Sequence, residues 1–90
     1  MVRYHLTARG RVQGVGFRYY VQQNAFLYGI RGWVKNQLDG TVEIDVEGRE
    51  KNMEQFIRSV RKGPRYSLVE QIEEKKMAEI KNYGTFSIEY

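Results

Sequence analysis

The sequence has no cysteine, a single histidine (His5), a single proline (Pro64), and no aspartate or glutamate in its first 38 residues. Each absence removes a class of chemistry. Without cysteine there is no disulfide, no thiolate metal site and no thiol nucleophile, so stability has to come from packing. One histidine, and no acidic residue near the glycine-rich segment around Gly14, leave no clustered ligands for metal-assisted hydrolysis. No Gly-Lys pair occurs, and Tyr19 stands where a G-x-G-x-x-G pattern starting at Gly14 would need its third glycine, so a nucleotide-binding loop is not supported. No uncharged run approaches the roughly 20 residues of a membrane span. The first residues alternate as a strand in place of a signal peptide, and a cytoplasmic location is the expectation. No repeat, linker or low-complexity segment is present.

What remains is a chain of 90 residues, 41% hydrophobic and 29% charged, which fits one globular domain over residues 1–90. Its charge is segregated. The first 38 residues carry Arg3, Arg9, Arg11, Arg18, Arg31 and Lys35, whereas residues 39–90 hold all 11 acidic side chains against 9 basic ones. A local excess of positive charge favours a pocket for a small anion over a uniformly basic surface.

Hydrophobic spacing places the elements. Val2, Tyr4, Leu6 and Ala8 alternate with polar residues and predict a half-buried strand leading into a glycine loop at Gly10. Phe17, Val21, Ala25 and Tyr28 recur at helical spacing before the stop signal Gly29, which predicts a helix over residues 17–28. Residues 31–38 and 41–47 flank Asp39-Gly40, read as a two-residue hairpin turn. Met53, Phe56, Ile57 and Val60 predict a second helix ending at Gly63-Pro64. Residues 66–77 predict a weaker strand, and Phe86, Ile88 and Tyr90 alternate in a last one. The order β-α-β-β-α-β-β matches a ferredoxin-like α+β sandwich: an antiparallel sheet of about five strands covered on one face by two helices.

The segment between the first strand and the first helix, Gly10-Arg11-Val12-Gln13-Gly14-Val15-Gly16-Phe17-Arg18, holds the candidate site. Gly14 and Gly16 allow positive φ and close approach, so successive N–H groups can form an anion nest at the start of a helix. Arg18 adds a guanidinium fork matched to phosphate oxygens. Gln13 and Val15 are expected to contribute N–H groups only. His5 lies on the polar face of its strand and is expected to be a solvated sheet residue. Trp33 is expected to pack, or to touch a ligand if it borders the pocket. The charge run from Glu70 to Lys76 reads as a solvated edge strand.

This nine-residue segment resembles the signature loop of the acylphosphatase family. Gly32-Trp33-Val34-Lys35-Asn36 followed by Asp39-Gly40 is similar to the family's second motif, and Gly63-Pro64 stands where members carry that pair. The resemblance covers the whole chain. It implies a small enzyme that hydrolyses the carboxyl-phosphate bond of acyl phosphates without metal or organic cofactor. It also implies that residues 13–18 hold the phosphoryl group, that Arg18 binds it, and that Asn36 positions the attacking water. Inorganic phosphate would be product and inhibitor, and a monomer acting on a small molecule, without membrane or nucleic-acid partner, is expected.

The residues make chemical sense of that implication. The leaving group is a carboxylate whose conjugate acid has a pKa near ~4, so its departure needs no general acid. Positioning plus electrostatic stabilisation of the equatorial oxygens then suffices. Two alternatives stay open on the sequence: a ferredoxin-like RNA-binding module, suggested by the basic and aromatic residues 31–36, and a non-catalytic domain binding phosphate or carbamoyl phosphate within a larger protein.

Overall fold

In the computed structural model, which describes residues 1–90, the strands and helices follow in the expected order. They are β1 (Val2–Arg11), α1 (Phe17–Tyr28), β2 (Arg31–Asn36), β3 (Val42–Gly48), α2 (Glu50–Lys62), β4 (Leu68–Met77) and β5 (Phe86–Glu89). The sheet order is β4-β1-β3-β2-β5. Register explains why one face is apolar. Leu6 and Ala8 stand opposite Ile44 and Val42, Val34 opposite Ile44, and Ile88 beside Val34, so these side chains share a face. Phe17, Val21 and Ala25 of α1 and Met53, Phe56, Ile57 and Val60 of α2 close over it in a cluster of 18 buried residues. Burial of Phe17, 1% exposed, contributes roughly 1.5–3 kcal/mol and pins the first turn of α1, with its neighbour Arg18, to the sheet.

Three details differ from the sequence expectation. First, β5 runs parallel to β2, so the sheet is mixed. The cause is the path of the chain: β4 ends at Met77 opposite Arg3, at the end of the sheet where Arg31 starts β2. The connection crosses there, and β5 has to follow β2 in the same direction. Val34 is paired with Ile88, so the chain's last residues arrive at the end of β2 that carries Asn36.

Second, Asp39-Gly40 is not a two-residue turn. Gln37 N–H bonds to the Thr41 carbonyl at 2.9 Å and Gly40 N–H to the Gln37 carbonyl at 3.2 Å, and only Gly40 has positive φ, at 93°. A primed two-residue turn needs positive φ at both central residues, so this three-residue form is adopted instead. Asp39 stabilises it by accepting the N–H and hydroxyl of Thr41 at 3.0 and 2.7 Å, bonds that hold its carboxyl below the ordinary value. Third, β1 extends through Gly10 and Arg11. Gly10 sits at a bulge against β4, where a Cβ would lie 2.1 Å from the Leu68 carbonyl, so its glycine serves sheet packing and not the loop.

The second face of the sheet is polar but not bare. Arg3, 8% exposed, grips Asp45, 2% exposed, through two bonds of 2.7 and 3.0 Å. His5 places Nδ1 2.8 Å from Asp45 Oδ2 and Nε2 3.0 Å from Glu43 Oε1, and the Thr7 hydroxyl also donates to Glu43. Tyr83 donates its hydroxyl to Asp45, while Glu47, 1% exposed, accepts the N–H groups of Lys81 and Tyr83. Buried charge is tolerated here because every member is paired, and the pairs strap the β4–β5 connection across β3.

His5 is therefore not a solvated residue. Both ring nitrogens face carboxylates that can only accept, which requires the doubly protonated ring. Burial pushes the His5 pKa down, but the bonds to Glu43 and Asp45 outweigh it and hold it above the ordinary value. Trp33 packs edge-on against His5, with ring centroids 5.9 Å apart.

Candidate active site

The loop between β1 and α1 is wound by Gly14 and Gly16, whose φ angles are 74° and 78°. A Cβ at either would meet nothing within 4 Å, so it is backbone conformation that calls for glycine there. Gly16 caps α1 without a side-chain bond, and the first turn contains no acidic residue to neutralise the helix dipole. The first bond of the helix is Tyr20 N–H to the Gly16 carbonyl at 3.0 Å. None of the N–H groups from Gln13 to Tyr19 donates a hydrogen bond inside the chain. Such a continuous run of unpaired donors at a helix start is a strong preference for an anion.

Arg18 belongs to that first turn. Its Nη1 donates to the Glu89 carbonyl at 3.2 Å, and its guanidinium carbon lies 4.7 Å from the centroid of the Tyr90 ring. None of the five ion pairs in the molecule includes it, so its charge is not neutralised by a carboxylate.

Asn36 closes β2 on the helix-covered face, paired with Val42. Its Oδ1 is buried and has no hydrogen-bond partner. A buried acceptor without a partner costs about 1–3 kcal/mol, and a water or ligand group normally meets it.

Gly14, Gly16, Phe17, Arg18 and Asn36 line one cavity of about 280 Å³, with Tyr19, Ile88 and Tyr90 forming its apolar rim. No aspartate, glutamate or histidine lines it. The two other loop residues named from the sequence do something else. Val15 packs its side chain on the core, and Gln13 turns its amide towards the β2–β3 hairpin. The N–H groups of both remain in the unpaired run. Trp33 lies on the opposite face from Asn36, one residue out of phase along β2, so it does not border the cavity.

Sequence reasoning missed the contributions of Ile88, Glu89 and Tyr90. Alternation of Phe86, Ile88 and Tyr90 marked a strand, but nothing in it indicated pairing with β2. A cavity with a donor-rich loop, an arginine without a carboxylate partner and a carboxamide without a hydrogen bond, set on a ferredoxin-like sandwich, is chemically suited to an anion.

Comparison with known proteins narrows that reading. The acylphosphatase family model matches residues 4–88. An acylphosphatase of Bacillus velezensis is 50% identical over 90 residues, covering 100% of both chains. The crystal structure of acylphosphatase from Bacillus subtilis superposes with a TM-score of 0.97 at 42% identity, again over 100% of both chains. The structure of T. kodakarensis HypF is similar with a TM-score of 0.87 at 37% identity, and the match covers 100% of this chain but 12% of that one. The chain belongs to the acylphosphatase family, enzymes that hydrolyse acyl phosphates.

Proposed function

We propose that the chain hydrolyses the carboxyl-phosphate bond by direct attack of water, with the phosphoryl group seated in residues 13–18 and Arg18 against its oxygens. The observation that carries this reading is that one cavity is lined by Arg18, the unpaired N–H loop and Asn36, whose carboxamide makes no hydrogen bond within the chain. A carboxamide cannot remove a proton at neutral pH, but it can hydrogen-bond to a water and turn that water's lone pair towards phosphorus.

Charge then builds on the equatorial phosphoryl oxygens, where N–H dipoles and a guanidinium stabilise it. The carboxylate leaves without a proton, as expected of a group whose conjugate acid has a pKa of ~4. The proton of the attacking water passes to a phosphoryl oxygen, since no aspartate, glutamate or histidine side chain lines the cavity to take it. His5 sits on the far face of the sheet and takes no part. Val12 and Phe17, buried at the cavity floor, keep bulk water out, and the acyl group extends past Tyr19, Ile88 and Tyr90.

Inorganic phosphate, the product, fits the same nest and acts as a competitive inhibitor in this reading. We infer a monomer, because a single hydrophobic cluster is closed within one copy, and a cytoplasmic setting, because stability here relies on no disulfide. No helix is long and apolar enough to cross a membrane. The RNA-binding alternative is not favoured: the outward face of β3 carries Glu43, Asp45 and Glu47, already bonded within the chain, and no cation to meet a phosphate backbone.

The deciding assay is hydrolysis of benzoyl phosphate by wild type and Arg18→Ala in the presence of a chelator, with an aryl phosphate monoester as comparison. Chelator-resistant, acyl-selective turnover that Arg18→Ala abolishes is the expected result. Equal turnover of the monoester, or no turnover by the folded wild type, would overturn the reading.

A further inference from the structure

The Gln13 side chain spans the gap between the two halves of the site. Its Nε2 donates 2.8 Å to the Gln37 carbonyl and 2.9 Å to the Thr41 carbonyl, on opposite sides of the β2–β3 hairpin. Both partners are acceptors, so only the amide nitrogen can face them, and both of its protons are used. Each carbonyl already accepts one bond inside the turn, from Gly40 and from Gln37, and the amide takes the second lone pair of each. Gln37 follows Asn36 directly in the chain. Gln13 itself sits in the run of unpaired N–H groups, one residue before Gly14.

Few other contacts fix this loop. Its N–H groups are unpaired and its two glycines have no side chains, so Val12, Val15 and Phe17 anchor it to the core beneath. Among the side chains of the loop, only Gln13 hydrogen-bonds to the hairpin, at Gln37 and Thr41.

We propose that Gln13 is a positioning residue: its amide clamps the phosphate loop to the hairpin that carries Asn36 and so sets the spacing between phosphoryl group and attacking water. The proposal rests on the roles given above to the loop and to Asn36. In-line attack needs the reacting atoms about 3–3.5 Å apart, and a displacement near 1 Å costs about 10²-fold in rate. Phosphate affinity depends on the loop and Arg18 alone, so the clamp acts on kcat far more than on binding.

The test is a double-mutant cycle on benzoyl phosphate with wild type, Gln13→Ala, Asn36→Ala and the double variant, each checked for folding by thermal melt. Gln13→Ala is expected to lower kcat about 10- to 100-fold while KM and the inhibition constant of inorganic phosphate move less than about threefold. In the Asn36→Ala background the same substitution should change kcat by less than about threefold, because no oriented water is left to misplace. An equal loss in both backgrounds would overturn the clamp while leaving the site reading intact. Wild-type kcat in Asn36→Ala would instead overturn the site reading, and the clamp with it.

A second variant guards against a general loss of loop structure. Gln13→Glu preserves size but sets oxygen against two carbonyl oxygens. Its kcat relative to wild type should be at or below that of Gln13→Ala at neutral pH and recover as the carboxyl regains a proton to donate. A ratio independent of pH would contradict the clamp.

Discussion

Arg18 donates to the backbone carbonyl of Glu89 at 3.2 Å, joining the first turn of α1 to the last strand across 71 residues of sequence. This bond and the Tyr90 ring hold the guanidinium at the cavity without a carboxylate to neutralise it. A cation kept in place by a carbonyl and an aromatic face retains its full attraction for an anion.

Arg18→Ala should therefore reduce kcat/KM for an acyl phosphate by about 10³-fold or more, the range for a guanidinium that meets transition-state charge on a phosphoryl group. The fold should survive, since the side chain contributes no ion pair and no core contact. Arg18→Lys should recover little, because a point charge cannot form the bidentate pair. Steady-state kinetics together with a thermal melt check this, and a kcat/KM within threefold of wild type would remove Arg18 from the mechanism.

Asn36→Ala should lower kcat by about 10²- to 10³-fold with a smaller effect on KM, the cost of one positioned polar group. Stability should change little. The Oδ1 atom makes no hydrogen bond within the chain that the substitution would remove. A rise in KM at constant kcat would make Asn36 a binding residue, and a marked fall in melting temperature would show that its oxygen is satisfied in the folded protein.

Inorganic phosphate should raise the melting temperature, by linkage to the native state alone. At 100 times its dissociation constant the gain is about 2.7 kcal/mol. Calorimetric melts with and without phosphate measure this. The shift should disappear in Arg18→Ala and persist in Asn36→Ala, and its absence from wild type at saturating phosphate would exclude a preformed nest.

His5 gives a pH signature of stability that is separate from catalysis. Because its folded pKa is raised, its contribution is fully present below the unfolded value of about 6.5 and is lost as pH rises through the folded value. Asp45 closes the acid side. Burial alone would raise its pKa, but bonds from Arg3, His5 and Tyr83 hold it below the ordinary value. Its contribution is thus present above about 3.9 and lost as pH falls through the folded value. Wild type should exceed His5→Gln in stability below about pH 6.5, and the gap should close as pH rises through the folded value of His5. Denaturant unfolding across that range tests it, and a constant gap would contradict a protonated ring. Activity should be unaltered, since His5 and the cavity lie on opposite faces.

Periodicity and turn chemistry made most of the architecture legible. The spacing of Phe17, Val21 and Ala25 defined α1 to the residue, and Met53, Phe56, Ile57 and Val60 defined the buried stripe of α2 before Gly63. These signals are local, because a side chain's face is set by neighbours three, four or two residues away. The same holds for the loop. Gly14 and Gly16 marked its left-handed backbone, and the missing acidic residues around Arg18 marked its charge.

Contacts between distant segments decided the rest. The direction of β5, the clamp from Gln13 to Gln37 and Thr41, and the pairing of His5 with Glu43 and Asp45 each join residues at least 24 positions apart. No local preference encodes such partners. The amino-acid sequence by itself determined the elements, the glycine-wound loop before α1 and the family. Only the tertiary structure placed Asn36, Arg18 and the end of β5 around one cavity, because strand register and the crossing of the β4–β5 connection arise from packing of the whole sheet.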